Sequence, residues 1–122
     1  MSETLHQAAE AYIEHLRAQG KKERTLLTYA KDFQQIEAFF GPEKDLASIQ
    51  IPQVGKFFKS DILLKMPSGK ERALRTVEKT QRVFRMFLVW AVETGRIRVL
   101  PLPKDTPMGR SLLKEGGTNG NA

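Results

Sequence analysis

One stretch limits what this chain can become. Residues 70–95, KERALRTVEKTQRVFRMFLVWAVETG, read as a single long helix with two unlike faces. At about 100° per residue, Ala73, Val77, Thr80, Phe84, Phe87, Leu88 and Ala91 fall within roughly 100° of arc, the width of a core-facing apolar stripe. Arg72, Arg75, Lys79 and Arg82 fall within about 80° on the opposite side. A helix of this kind needs a core for one face and water or a polyanion for the other, and the leading polyanion is the DNA phosphate backbone.

The location of the charge strengthens that expectation. The net charge is +6, yet residues 1–69 carry nine Lys/Arg and nine Asp/Glu, and residues 105–122 carry two of each. The whole excess therefore sits in 70–104, with nine cations against three anions. A merely solvated surface would spread its charge, whereas concentration in one element suits a nucleic-acid footprint. Arg17, Lys21, Lys22, Arg24 and Lys31, against Glu23, form a second basic patch at the start of another helix.

The remaining chain supplies partners for the long helix. Thr4 with Gln7 is a capping box, and Leu5, Ala8, Ala9, Tyr12, Ile13 and Leu16 follow at helical spacing, so a first helix is expected over about 3–19, stopped by Gly20. A second, over about 24–40, puts Leu26, Tyr29, Phe33, Ile36 and Phe40 on one stripe and ends at Gly41-Pro42. A third, over about 52–65, begins at Pro52 and points Val54, Phe57, Phe58 and Ile62 inward. Met66-Pro67-Ser68-Gly69 is the turn before the long helix. Beyond Gly95, RIRVLPLP is extended or strand-like because its prolines forbid helix, and GGTNGNA reads as a flexible end. No segment alternates with period two and the links are short, which predicts an all-α, compact four-helix bundle with a flexible C-terminal tail.

Size and composition narrow the classes. A chain of 122 residues suffices for one domain with a real core, expected over 1–101, with 102–122 as tail or linker remnant. Zero cysteines exclude disulfides and thiolate metal sites. No run approaches the roughly 20 apolar residues of a membrane span, and MSETLHQAAEAYIEHL lacks a secretory pattern, so a cytoplasmic protein without membrane partners is expected.

Two helices also carry a family pattern. The second reads Thr25-Leu26-x-x-Tyr29-x-x-Asp32-Phe33-x-x-Ile36-x-x-Phe39-Phe40. The fourth reads Thr76-x-x-x-Thr80-x-x-x-Phe84-x-x-Phe87-x-x-Trp90-Ala91-x-x-x-Gly95-x-Ile97, with Pro101 after it. With the leading YIEHLRAQGKKERT, this resembles the N-terminal core-binding (SAM-like) domain of phage integrases and other tyrosine recombinases, over residues 3–101. The resemblance implies a DNA-binding module of a site-specific recombinase, one jaw of a clamp on the recombination site, acting in DNA integration and recombination. Its second and fourth helices would face double-stranded DNA, with Thr25, Thr28, Arg75, Thr76, Lys79 and Arg82 as contacts and Lys22 and Arg24 flanking them. Arg72 joins this set from the charge pattern. A catalytic domain or a neighbouring recombinase protomer is the implied further partner, with no cofactor and no small-molecule substrate. One departure is Leu100-Pro101, where the family often has Asn-Pro.

The catalytic half of that family is not legible here. Its chemistry needs a tyrosine nucleophile, with arginines and a His-x-x-Arg group around the phosphorane-like transition state. Tyr12 and Tyr29 lie on apolar stripes, and neither His6 nor His15 is followed by arginine at the third position. A non-catalytic part of a recombinase is therefore expected, with no metal site. Trp90, Val83 and Met86 lie off the main stripe: either the first helix or the C-terminal segment covers them, or they dock a partner. The alternative function is a helical protein–protein interaction module, with the basic helix meeting an acidic partner and Trp90 anchoring the contact.

Overall fold

The computed structural model describes residues 3–103. It is all-α, with helices α1 (Leu5–Ala18), α2 (Glu23–Phe40), α3 (Ile51–Phe58), α4 (Asp61–Leu64) and α5 (Leu74–Glu93), and a short 3-10 turn at Leu46–Ser48. Among the described residues there is no strand, only two isolated antiparallel bridges, Thr4 with Asp45 and Lys65 with Glu71. The expected strand-like segment after Gly95 is irregular chain.

The helix starts follow local chemistry. At α1 the Thr4 hydroxyl accepts from the Gln7 N–H at 3.1 Å, and Gln7 Oε1 accepts from the Thr4 N–H at 3.0 Å, so two orphan donors are satisfied reciprocally. The α2 helix stops at Gly41, whose φ of +92° a residue with a side chain rarely adopts.

The expected third helix is two helices, and Ser60 is the reason. Its hydroxyl donates to the Phe57 carbonyl at 2.7 Å and accepts from the Leu63 N–H at 3.4 Å, which ends α3 and caps α4. The break shifts the register, so Leu63 is buried where Ile62 was expected and Ile62 is exposed. The long helix is also shorter than its sequence period. Residues 65–71 find other backbone partners, as Met66 N–H donates to the Lys70 carbonyl and Arg72 N–H to the Leu64 carbonyl, both at 2.8 Å. Helix α5 thus begins at Leu74, Ala73 is an exposed flank instead of a core residue, and Arg72 precedes the helix.

Packing otherwise follows the predicted stripe. Val77, Thr80, Phe84, Phe87, Leu88 and Ala91 are all buried, and α5 meets α2, α1 and α4. An aromatic network links the elements: Phe33 and Phe87 centroids lie 5.0 Å apart, Phe57 and Phe84 5.7 Å, and Tyr12 and Trp90 5.1 Å. Val83 and Trp90 are covered within the domain. Trp90 lies against Tyr12 and His15 of α1, and the Arg96 guanidinium sits 4.2 Å above its ring. Ile97 and Leu102 add to the core. The tail 104–122 lies outside the described residues. No helix among the described residues is long and apolar enough to cross a membrane.

Candidate nucleic-acid interface

Helices α2 and α5 meet at a buried carboxylate. Asp32 is only 4% exposed, and its two oxygens are both taken: Oδ1 accepts from the Thr80 hydroxyl at 2.8 Å, and Oδ2 lies 2.6 Å from Lys79 Nζ. Lys79 also rests over the Tyr29 ring, 5.4 Å from its centroid. The lysine side chain bridges from solvent to the core, which is how a carboxylate can be buried in so small a domain. Lys79 is consequently half of an ion pair and not a free cation for a phosphate.

Beside this pair lies an open groove of about 840 Å³ between α2, α4, the 65–71 loop and the start of α5. It brings together Thr28 from α2 with Arg72, Thr76 and Lys79, four of the nine residues picked out by sequence. Thr76 is exposed, whereas the Thr28 hydroxyl already donates to the Thr25 carbonyl at 2.7 Å and can offer a ligand only its lone pairs. Arg72 is a brace: its Nε donates to the Leu63 carbonyl at 3.0 Å and its Nη2 to the Lys65 carbonyl at 2.8 Å. Those carbonyls end α4 and have no helical partner of their own.

Lys22, Arg24, Thr25, Arg75 and Arg82 lie outside the groove lining. Lys22, Arg24 and Arg75 are exposed, Thr25 and Arg82 half-buried. None of the four cations has a carboxylate partner among the described residues. The basic patch near α2 loses one member, because Arg17 pairs with both Glu14 and Glu23. Those carboxylates hold the Arg17 guanidinium above its already high pKa, with the Glu23 hydrogen bond the larger cause. Helix α5 has no side-chain cap at Ala73 and no acidic residue in its first turn, so its open N–H groups add positive potential beside Arg75 and Thr76.

Several lining residues lie outside the set that the charge and motif patterns mark. The sequence marks Lys31 only as part of a patch and places Lys65, Ile62 and Met66 at a helix end, in the core and in a turn. The readable signal was KMPSGK, a turn flanked by two lysines. The tyrosines lie elsewhere: neither lines the groove, and burial first, then Tyr29 and Glu93, push the Tyr12 phenol up to about 12.

Fold and site together define a small all-α domain carrying an open, basic groove between α2, α4, the 65–71 loop and the start of α5. Comparison with protein-family models, with curated proteins and with solved structures finds no match.

Proposed function

We propose that this chain is the DNA-binding module of a site-specific recombinase or integrase, holding duplex DNA against the α2–α5 face as one jaw of a clamp. It works in DNA integration and recombination and leaves the strand chemistry to a separate catalytic domain. One observation carries the reading: residues 48 positions or more apart in sequence, Thr28 on α2 and Thr76 and Lys79 on α5, converge on one groove, and the cations Lys22, Arg24, Arg75 and Arg82 on the same two helices have no carboxylate partner among the described residues. The finer SAM-like assignment belongs to the same proposal and rests on the motif pattern in α2 and α5. A second reading, an interaction module for an acidic helix or peptide, is favoured by Leu27 and Leu74, exposed at 65% and 71% beside the basic residues. Trp90, buried at 8% exposure, is not its anchor.

Salt dependence of duplex binding is the test. Lys22, Arg24, Arg75 and Arg82 can neutralise about four phosphates, which gives a slope of log affinity against log salt of magnitude at least about 3. Arg75→Gln/Arg82→Gln should reduce the magnitude by about 2 without lowering the melting temperature, because neither arginine has an ion-pair partner among the described residues. Lys79 is left out of this variant, since its removal strands Asp32. A parent slope below about 1 in magnitude would sink the phosphate-tracking model.

A further inference from the structure

The loop leading into α5 is built as a rigid ribbon. Met66 N–H donates to the Lys70 carbonyl and Gly69 N–H to the Met66 carbonyl, both at 2.8 Å. Gly69 turns the chain at φ +94°, and Lys65 and Glu71 form an antiparallel bridge. Arg72 then ties the ribbon to α4, through its backbone N–H on the Leu64 carbonyl and its guanidinium on the three carbonyls of Ile62, Leu63 and Lys65. A guanidinium spent on three carbonyls holds one wall of the groove in place without needing a ligand.

Charge and apolar surface are divided across that groove. Lys31 stands on the α2 wall and Lys65 on the ribbon wall, while Ile62 and Met66, exposed at 38% and 45%, offer apolar surface between them. Among the described residues four cations line the groove against two carboxylates, Asp32 and Asp61, and Asp32 is already occupied by Lys79. The lining is therefore cationic even after its internal pair is discounted. Lys70, next in sequence to the groove-lining Gly69, is exposed and adds a further cation to the ribbon.

We infer that the 65–71 ribbon is a DNA contact separate from the helical face: one strand runs along the groove with its phosphates between Lys31 and Lys65 and continues past the exposed Lys70, its deoxyribose faces resting on Ile62 and Met66. This rests on the DNA-binding reading and adds an element that the helical face does not contain. Arg72 is a positioning residue in this arrangement and touches no phosphate. The consequence is countable. The helical cations alone account for about four phosphates, and three ribbon and groove lysines raise the total to about seven, for a parent slope of magnitude about 6.

The test measures fluorescence anisotropy of a labelled random-sequence duplex of about 20 bp between about 50 and 200 mM salt. Lys31→Gln/Lys65→Gln/Lys70→Gln should lower the slope magnitude by 2 to 3 and weaken binding on the order of 100-fold at about 100 mM salt. The three lysines are exposed, so the melting temperature should hold. The matching triple Arg variant should keep the parent slope. Arg72→Gln should lower the slope by about 2 and speed exchange of the Met66 and Arg72 amide protons. If the lysine variant binds with the parent slope while Arg75→Gln/Arg82→Gln loses binding, the ribbon inference is overturned and the helical reading stands. Weakened binding at an unchanged slope overturns the inference too, since the lysines would then not be neutralising phosphates. A parent with no salt-dependent duplex binding overturns both.

Discussion

Replacing Asp32 with alanine should weaken the fold and strengthen the salt dependence of DNA binding at once. The carboxylate is 4% exposed and holds Thr80, which is fully buried, at 2.8 Å and Lys79 at 2.6 Å. Breaking a fully buried pair costs about 3–5 kcal/mol, chiefly because the surviving charge is stranded. Two features lower that figure here. The Lys79 side chain is 33% exposed and can turn its ammonium to water, and the Thr80 hydroxyl keeps a fallback acceptor in the Thr76 carbonyl at 3.3 Å. The expected loss is therefore about 2–3 kcal/mol, equal to roughly 10–20 °C in melting temperature for a domain near 100 residues. Asp32→Asn retains an acceptor for Thr80 and should lose about half as much. Released from its partner, Lys79 becomes available to a phosphate, so the binding slope should steepen by about 0.9 when measured well below the lowered transition. Urea denaturation of Asp32→Ala, Lys79→Met and the double variant isolates the pair energy. A coupling near zero would refute the claim that this pair locks α2 to α5, and a steady slope in Asp32→Ala would refute the claim that the pair masks Lys79.

Two further outcomes follow from the core and from one surface histidine. Phe84 is fully buried against Phe40 and Phe57, so Phe84→Ala should cost on the order of 3–5 kcal/mol and carry helical circular dichroism and binding down together. Normal melting would show that α5 does not bury this face. The His6 pKa is raised, first by its hydrogen bond to Glu37 and then by that carboxylate's charge, so protonation favours the folded state. The contribution is present below the ordinary histidine pKa and lost as pH rises through the raised one, so the parent should melt slightly lower above neutrality than near pH 6, by an amount that His6→Gln removes. The ring is half exposed and the shift in melting should be small. A melting temperature that rises with pH across that window would contradict the assignment.

What the sequence determined alone is what depends on short-range chemistry and period. The Thr4–Gln7 box, the glycine stop at Gly41 and the buried stripe from Val77 to Ala91 could be read because each is decided by spacing along one helix. Helix boundaries failed where a side chain or loop competed with the helix for backbone partners, as Ser60 does between α3 and α4 and as the ribbon does before Leu74. The site shows the same division. Periodicity placed Arg72, Arg75, Lys79 and Arg82 in one cationic line, but a formula for charge cannot say which charges are already neutralised. Only the packing of α2 on α5 brings Asp32 to Lys79 across 47 residues, and only the docking of the ribbon on α4 turns Arg72 toward three carbonyls. Burial makes an unpaired polar group costly, so in the folded chain the nearest partner takes the charge, and nearness across helices is a property of tertiary structure.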